Sequence, residues 1–381
     1  MWGITALCAV YLAFAMPIAM LGVAWPEIRD ALGRSSGELG ILVAGYGLGR
    51  LSTAGSSGVL LRRLPFGRAV LTSAVALAVA TAWAAGRPAW PVLIVAVVAV
   101  GMTTGALESL GSRFMAVSAS PRIAGLLAGS YGVGATIGPA LVALSGRWQV
   151  AYVASSVITL LAGMAFLAPS LRWPGELSTG GRGDGAHGVG SSPRPPWTIV
   201  LVSLSLFSVF VGMEATAGQW TATFLEQARG VDPRVAGIAV SGFFAGTTLG
   251  RIALGAVDVP RRVPLLVVSM PVPLFVAVAV GPSAMVPVLM ALAGLALAPT
   301  FPTLMAATAE RVGMQRAGQM SGWQMLASNA GATTFPAITG LVVSLTTPAA
   351  PIVVLACMAV MGAVLALLAQ RGRAPTAVKR Q

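Results

Sequence analysis

The chain has 381 residues, of which 56% are hydrophobic and only 9% are charged. A soluble domain carries roughly 25% charged residues, so this composition excludes a soluble globular protein and predicts a multi-pass membrane protein. The formal net charge of +13 does not indicate nucleic acid, because the arginines stand in short clusters between apolar segments and not along one face. The lipid bilayer is therefore the expected surrounding, and nucleic acid is not an expected partner.

Apolar segments separated by short breaks rich in Arg, Pro and Gly predict an all-α protein with twelve membrane-spanning helices. The first segment lacks the basic region of a signal peptide and is long enough to span, so we interpret it as the first helix. Six tryptophans fall at predicted span ends, where amphipathic rings favour the headgroup region. The predicted spans are 3–24, 36–61, 69–86, 91–117, 122–145, 149–170, 198–226, 234–257, 264–281, 284–307, 318–345 and 350–370.

The distribution of basic residues predicts the orientation of the chain. With both termini inside, 15 of the 24 Lys and Arg residues lie in cytoplasmic segments and six lie in outer segments. An excess of this kind marks the cytoplasmic side. We therefore expect a multi-pass protein of the cell membrane, whether inner or plasma membrane, with both termini cytoplasmic.

The longest break between apolar segments divides the chain into two halves. Residues 171–197 are rich in Gly, Pro and Ser and predict a flexible cytoplasmic linker. Six spans precede it, in residues 1–170, and six follow it, in residues 198–370. A basic cytoplasmic tail, residues 371–381, completes the chain.

The two halves repeat each other in sequence. Gly134–Ala140, in span five, stands 197 residues before the similar Gly331–Ala337, in span eleven. Arg50 stands 201 residues before Arg251, each directly after a glycine, in spans two and eight. A parallel repeat of two six-helix halves predicts a binding site between them near the middle of the membrane.

Span four carries a carboxylate near its middle. Gly101, Gly105, Glu108 and Ser112 fall on one stripe, because steps of three and four residues nearly close whole turns at about 100° per residue. Small residues let another helix or a water-filled cleft approach closely. An ionisable group at this depth is costly unless it is paired, hydrated or protonated, so Glu108 is a candidate proton-coupling residue. A structural ion pair inside the bundle is the alternative.

Arg50 lies near the middle of span two, from which either membrane surface is a long reach. It needs a partner, and Glu108 in the same half is the natural candidate. A substrate anion or hydroxyl that drew Arg50 away would couple substrate binding to protonation of Glu108. Arg50 is therefore a candidate substrate-binding residue as well.

Span seven carries a second carboxylate on a face of small residues, formed by Glu214, Ala217 and Gly218. Glu214 is a second candidate for proton coupling, and a polar tie to a neighbouring helix is the alternative. Arg251 stands toward the cytoplasmic end of span eight, where we expect a structural role at an inner gate.

Several polar residues in the other spans are weaker candidates. Glu38 and Asp232 stand at helix starts, in a capping box and an N-cap, and are removed from the functional candidates. The amides of Gln324 and Asn329, in span eleven, predict either hydrogen bonds to a polar substrate or ties between helices. Trp220, in span seven, is a further candidate contact of the substrate.

Enzymatic function is not supported by the sequence. The single histidine, His187, lies in the predicted linker, so no His-based catalytic triad or zinc site can form within the membrane. The single lysine, Lys379, lies in the tail, so no phosphate-binding loop is present. Cys8 and Cys357 have no metal-ligand spacing. We expect no cofactor and no metal, and the energy for transport must come from a gradient.

Taken together, these residues resemble the major facilitator superfamily over nearly the whole chain. Residues 101–114 with Glu108, Glu214 with Trp220, and residues 241–251 resemble the fucose permease-like group of proton-linked sugar transporters. That resemblance implies that Glu108 is the essential glutamate of the fourth helix in this group. The first span has no acid, although fucose permease uses an aspartate there.

Two further patterns of the superfamily concern gating. The loop after span two resembles Gly-x-x-x-Asp-Arg-x-Gly-Arg, but Arg62 stands in place of the Asp and Arg63 follows it. Gly134, Gly138 and Pro139 resemble the fifth-helix pattern that is frequent in exporters. The resemblance implies gating roles for Arg62, Arg63, Gly138 and Pro139.

The sequence therefore predicts a monomeric secondary transporter that alternates access between its two halves. The expected substrate is a small polar molecule such as a sugar, moved together with protons. A proton-antiporting exporter of drugs or metabolites is the alternative. A transport-inactive receptor or scaffold with the same fold is a third interpretation.

Overall fold

We describe the fold from a computed structural model of the chain. It describes residues 2–86, 89–118, 120–168, 196–254, 271–301, 303–305, 308 and 314–371. Most of the predicted linker and all but the first residue of the predicted tail lie outside these ranges, as does His187, so the boundaries of both segments stay predictions.

The described residues fold into helices, as the apolar segments predict. Those of the N-terminal half are α1 (Trp2–Leu32), α2 (Leu39–Thr53), α3 (Ser57–Arg63), α4 (Phe66–Ala85), α5 (Trp90–Ser118), α6 (Pro121–Ser145) and α7 (Trp148–Met164). Those of the C-terminal half are α8 (Trp197–Arg229), α9 (Pro233–Leu254), α10 (Pro271–Val280), α11 (Val286–Leu297), α12 (Met314–Leu345) and α13 (Ala350–Arg371). Among the described residues, nine helices are long and apolar enough to cross a membrane.

The predicted second span is not one helix. It begins with a short 3-10 turn at Ser36–Glu38, continues as α2, and is interrupted at residues 54–56 before α3. Gly55 and Ser56 are poor helix formers, which explains why the helix breaks there. The break comes four residues after Arg50, so this arginine lies in the last turn of α2.

Both predicted helix caps are present. The backbone N–H of Ser35 donates to Oε2 of Glu38 at 2.8 Å, as a capping box requires. The backbone N–H of Arg234 donates to Oδ1 of Asp232 at 2.9 Å, at the start of α9. The two acids are thus engaged at helix ends, as the sequence predicts.

A third cap could not be found from sequence, because its donor and acceptor are 121 residues apart. Oε2 of Glu27, in α1, accepts from the backbone N–H of Trp148 at 2.9 Å, at the start of α7. This carboxylate satisfies one of the free N–H groups of the first turn and fixes α7 against α1.

We expect Glu27→Ala to lower the free energy of unfolding by about 0.5–2 kcal/mol, the usual cost of losing an N-cap. Thermal unfolding of the purified protein measures the effect. Asp30→Ala is the matched control, since Asp30 is an exposed acid of the same helix whose carboxylate pairs with the neighbouring Arg29. Equal losses in the two variants would contradict the capping role.

Close approaches at glycines show how the two halves repeat. A Cβ atom at these glycines would lie within 3 Å of a carbonyl oxygen on the facing helix, so each marks a helix crossing. Where the first and fifth helices of each half cross, Gly134 lies against the carbonyl oxygen of Leu12, and Gly331 lies against that of Ser208. Where the second and fourth helices cross, Gly49 lies against the carbonyl oxygen of Val98, and Gly246 lies against that of Ala291.

These crossings fix the register of the repeat. Gly246 follows Gly49 by 197 residues, the same offset that separates the two crossings of the fifth helices. The structural counterpart of Arg50 is therefore Thr247 and not Arg251. The equivalence of the two arginines suggested by their shared Gly-Arg sequence is wrong by one helical turn.

Among the described residues, the two halves contact each other near the middle of the bundle and at one of its ends. We call the end that carries Leu167 and Trp197, on either side of the predicted linker, the linker end, and the opposite end the closed end. At the closed end, Oγ of Ser36 donates to Oε1 of Gln227 at 2.6 Å. The backbones of Gly37 and Gly340 also meet there.

A second contact between the halves lies closer to the middle. Nε2 of Gln219, in α8, donates to the carbonyl oxygen of Ile18 in α1 at 2.8 Å, and Gly22 lets the two backbones approach. Among the described residues, the hydrogen bonds and glycine crossings between the halves run from the middle of the bundle to the closed end.

Candidate functional site

An arginine and a glutamate form a two-point ion pair in the N-terminal half. Nε of Arg50 donates to Oε2 of Glu108 at 2.7 Å, and Nη2 of Arg50 donates to Oε1 at 2.8 Å. Two parallel charge-assisted hydrogen bonds are the strong form of this interaction. The side chains keep 20% and 25% of their surface accessible. The partnership expected from the depth of the two residues is therefore present.

The glycine stripe of α5 brings this pair together. A Cβ at Gly101 would strike the carbonyl oxygen of Tyr46, and one at Gly105 would strike that of Arg50. The absence of these side chains lets α5 lie directly against α2. Because Glu108 follows on the same face, its carboxylate reaches the guanidinium of Arg50. The stripe thus accepts a neighbouring helix, as its small residues predict.

The C-terminal half holds a second ion pair. Nη2 of Arg251, in α9, lies 2.5 Å from Oε2 of Glu214, in α8. Their side chains keep 33% and 18% of their surface accessible. Sequence reasoning treated the two residues separately, and the structure joins them.

The two pairs do not arise from the repeat. Arg251 stands one turn closer to the linker end than Thr247, the counterpart of Arg50. Its acid comes from the first helix of its half, whereas Glu108 comes from the fourth helix of the other half. The two arginine–glutamate pairs are therefore built from non-equivalent helices of the two halves.

Three tyrosines surround the first pair and were missed by sequence reasoning. All four tyrosines of the chain lie in the N-terminal half. Tyr11 interacts electrostatically with Glu108, Tyr46 interacts with both members of the pair, and Tyr131 interacts with the members of both ion pairs. One signal was present in the sequence, because Tyr46 precedes Arg50 by one turn of the same helix.

The predicted cavity residues of the C-terminal half lie in different environments. Trp220 is fully buried, and its Nε1 donates to the carbonyl oxygen of Pro336 at 2.9 Å. Gln324 is fully buried, and its Nε2 donates to Oγ of Ser203 at 2.8 Å. Both polar groups thus tie helices to each other, and for Gln324 this is the alternative that the sequence left open. Their roles in substrate binding stay predictions. Asn329 is partly exposed.

The predicted gating residues lie at two places. Arg62 and Arg63 are exposed at the end of α3, at the linker end. Gly138 packs on α1, where an added Cβ would lie 3.0 Å from the carbonyl oxygen of Met16. Pro139 lies inside α6, which continues past it. Their gating roles stay predictions.

Comparison with known proteins identifies the class of this protein. The sequence model of the Major Facilitator Superfamily matches residues 7–224 and 202–381. The chain therefore belongs to this superfamily, whose members are membrane transporters and not enzymes. Transport of a small molecule by alternating access between two halves follows from that membership.

Two solved structures are similar to this chain in fold. They are crystal structures of a bacterial homolog to the human lysosomal transporter Spinster, one inward-facing and occupied, the other inward-facing and unoccupied. Their TM-scores are 0.76 and 0.71, at 14% and 15% sequence identity, and each alignment covers 97% of this chain and 96% of that chain. A search of curated proteins gave no match.

Proposed function

We propose that the protein is a proton-coupled secondary transporter of a small polar solute, such as a sugar, in the cell membrane. In this proposal the protein is a monomer with both termini in the cytoplasm, and it belongs to the fucose permease-like group. The observation that carries the proposal is the two-point pair of Arg50 and Glu108. Charged groups within a membrane bundle are costly, so a function is the default interpretation of a pair that is also accessible.

The position of Tyr131 supports a site between the halves. This residue lies on α6, which packs against α1 of its own half and α9 of the other. Its phenol interacts electrostatically with the charged residues of both ion pairs, so the two pairs converge on the boundary of the halves. We infer that their accessible surface belongs to the space between the halves and is not lipid-facing.

An arginine–glutamate pair can act as a proton-dependent switch. While Glu108 is ionised, its carboxylate accepts hydrogen bonds from Nε and Nη2 of Arg50. Protonation of Glu108 removes the charge that holds the guanidinium, and Arg50 is then free to donate to a hydroxyl or anionic group of the solute. Solute and proton therefore bind in the same state and leave together, which is symport. The pair of Glu214 and Arg251 can act in the same manner.

The contacts between the halves support a cycle of alternating access. With the halves joined at the closed end, this proposal has the solute reach the site from the linker end. If the linker is cytoplasmic, as the basic residues predict, this state faces inward. Rocking of the halves then breaks the contacts of Ser36 with Gln227 and of Gln219 with Ile18 and opens the opposite side.

Transport assays test the proposal. A thermal-shift screen of the purified protein against monosaccharides, amino acids and cationic drugs finds binders, because a ligand stabilises by RT ln(1 + [L]/Kd). Proteoliposomes under an imposed pH gradient then measure flux of the stabilising compound. We expect a sugar that accumulates on the alkaline side. Stabilisation by bulky cations alone, with movement toward the acidic side, would instead establish a proton-antiporting exporter.

The exporter alternative is supported by the resemblance of Gly134, Gly138 and Pro139 to the fifth-helix pattern of exporters. A transport-inactive receptor or scaffold would give no flux in either direction, and it would tolerate Glu108→Gln and Glu214→Gln together.

A further inference from the structure

The predicted second span is broken between α2 and α3, at residues 54–56. The backbone N–H of Ser56 donates to the carbonyl oxygen of Thr53 at 2.9 Å, three residues back and not four. The N–H of Ser57, the first residue of α3, donates outside its own helix, to Oγ of Ser109 on α5 at 3.0 Å. A side chain that enters the helical hydrogen-bond ladder bends a helix. The direction of α3 is therefore set by a side chain of another helix.

Neighbouring residues of α5 hold the two sides of this break. On the α2 side, the carboxylate of Glu108 accepts from Arg50, in the last turn of the helix. Oγ1 of Thr53 adds a second bond on that side, to a carbonyl oxygen of α5 at 2.7 Å. On the α3 side, the hydroxyl that accepts from Ser57 belongs to Ser109, which is buried and so fixed by packing.

The rest of α3 packs lightly on the bundle. Leu61 is the one residue of this short helix that is buried, whereas Arg62 and Arg63 at its end are exposed. An added Cβ at Gly55, in the break, or at Gly58, in α3, would meet nothing within 4 Å. A segment with few buried apolar contacts moves at a low cost in free energy. The bond to Ser109 is therefore a substantial part of what holds α3 in its present direction.

We propose that α3 is a gating segment of the linker end that pivots at residues 54–56, and that Ser109 is the positioning residue that holds it in the arrangement described here. In the second arrangement, the N–H of Ser57 donates to the carbonyl oxygen of Thr53, as in a continuous helix. Residues 56–63 form a lever of about 10 Å, so a turn of about 30° moves the terminal arginines by about 5 Å.

This gate is joined to the ion pair through the break. In the proposed function, on which this inference rests, a solute draws Arg50 away from Glu108. That step removes one of the ties that fix the end of α2 to α5, and the break can then straighten. Binding of solute near the middle of the membrane is in this way followed by movement at the linker end, within one half and without a contact to the other.

Distances within the N-terminal half test the pivot, because rocking of a rigid half leaves them unchanged. Spin labels are placed at Arg63→Cys, the end of α3, and at Leu161→Cys, an exposed position of α7. The free Cys8 and Cys357 are replaced by serine. In the purified protein in lipid nanodiscs, we expect a main distance and a minor one about 5 Å away, the displacement of the lever end.

Loss of the hydroxyl of Ser109 should change these populations. Ser109→Ala leaves the N–H of Ser57 without its acceptor in the main arrangement only. The ratio of the minor to the main distance should rise about fivefold, which corresponds to about 1 kcal/mol for one hydrogen bond. Ser112→Ala is the matched control, since it makes the same change three residues further along α5 at an exposed position, and it should keep the wild-type ratio.

A second pair of variants tests the pivot without touching α5. Gly55→Ala should also raise the minor population, because alanine favours a continuous helix over glycine and the added methyl group has room. Gly58→Ala makes the same change at a position that is helical in both arrangements, so it should leave the ratio unchanged. This pair decides the matter even if Ser109→Ala does not fold, which circular dichroism and thermal unfolding show.

The outcomes separate this inference from the proposed function. If folded Ser109→Ala keeps the wild-type ratio, or if Ser112→Ala raises it equally, the positioning role of Ser109 is overturned. If Gly55→Ala also leaves the distances unchanged, the pivot itself is overturned, and proton-driven flux is unaffected by that result. Distances that respond as expected in a protein without flux would keep the pivot and refute the proposed function.

Discussion

Replacing Glu108 with glutamine is expected to abolish accumulation of the solute under a pH gradient, while exchange of solute at equal pH on both sides continues. Glutamine has nearly the same shape and can still accept a hydrogen bond from Arg50, but it cannot bind or release a proton. Flux in proteoliposomes, with and without the gradient, measures both activities. Proton-driven accumulation should fall to the level of protein-free vesicles.

The same substitution also removes one member of an ion pair, so its effect on folding must be separated from its effect on transport. An arginine left without its carboxylate costs about 1–3 kcal/mol of stability, since the pair is partly accessible and not fully desolvated. The double variant Arg50→Gln with Glu108→Gln removes both charges and should regain much of this stability. It should not regain proton-driven accumulation. If it did, Glu108 would be a structural partner and not the proton carrier.

The sequence predicted best those features that depend on the residues of a single helix. The face formed by Gly101, Gly105 and Glu108 follows from helical periodicity alone, and it packs as expected. The caps at Glu38 and Asp232 are equally local. The pairing of Arg50 with Glu108 was inferred from depth and charge, since an arginine and a glutamate near the middle of one half each need a partner.

The features that were missed depend on which helices meet. Glu27 caps a helix 121 residues away, and Tyr131 packs on the same small cluster of alanines as Phe244 of the other half. Neither residue has a local pattern that marks it. The match of Arg251 to Arg50 was wrong for a similar reason. The two arginines share a Gly-Arg sequence, but only the positions where the helices cross show that Thr247 is the counterpart of Arg50. Gln324 could not be assigned, because a buried amide suits a helix tie as well as a substrate.

The glycines of the closed end lead to the second large prediction. A Cβ at Gly22 would lie within 3 Å of the backbone of Gln219, and a Cβ at Gly340 would lie within 3 Å of the backbone of Gly37. Backbone atoms cannot yield as a flexible side chain can, so the halves must separate to accept either methyl group. Each site should cost about 1–3 kcal/mol of overpacking in the closed arrangement.

We therefore expect the double variant Gly22→Ala with Gly340→Ala to favour the state that is open at this end and to lose transport, since a cycle needs both states. At about 1.4 kcal/mol per tenfold, the two sites together should shift the equilibrium by at least roughly tenfold. Spin labels at Asp30→Cys and Thr347→Cys, with the free Cys8 and Cys357 replaced by serine, report the separation of the halves there. The distance distribution should move to longer values.

Gly129→Ala is the matched control for this experiment. It makes the same change inside a helix, α6, but an added Cβ there has nothing within 4 Å. Alanine also favours helix over glycine, so this variant should be folded, active and unchanged in its distance distribution. If the double variant also kept the wild-type distribution, the close approach of the halves at Gly22 and Gly340 would not be what holds the closed end. The polar contact of Ser36 with Gln227 would then have to supply the closure, and Ser36→Ala would be the variant that opens it.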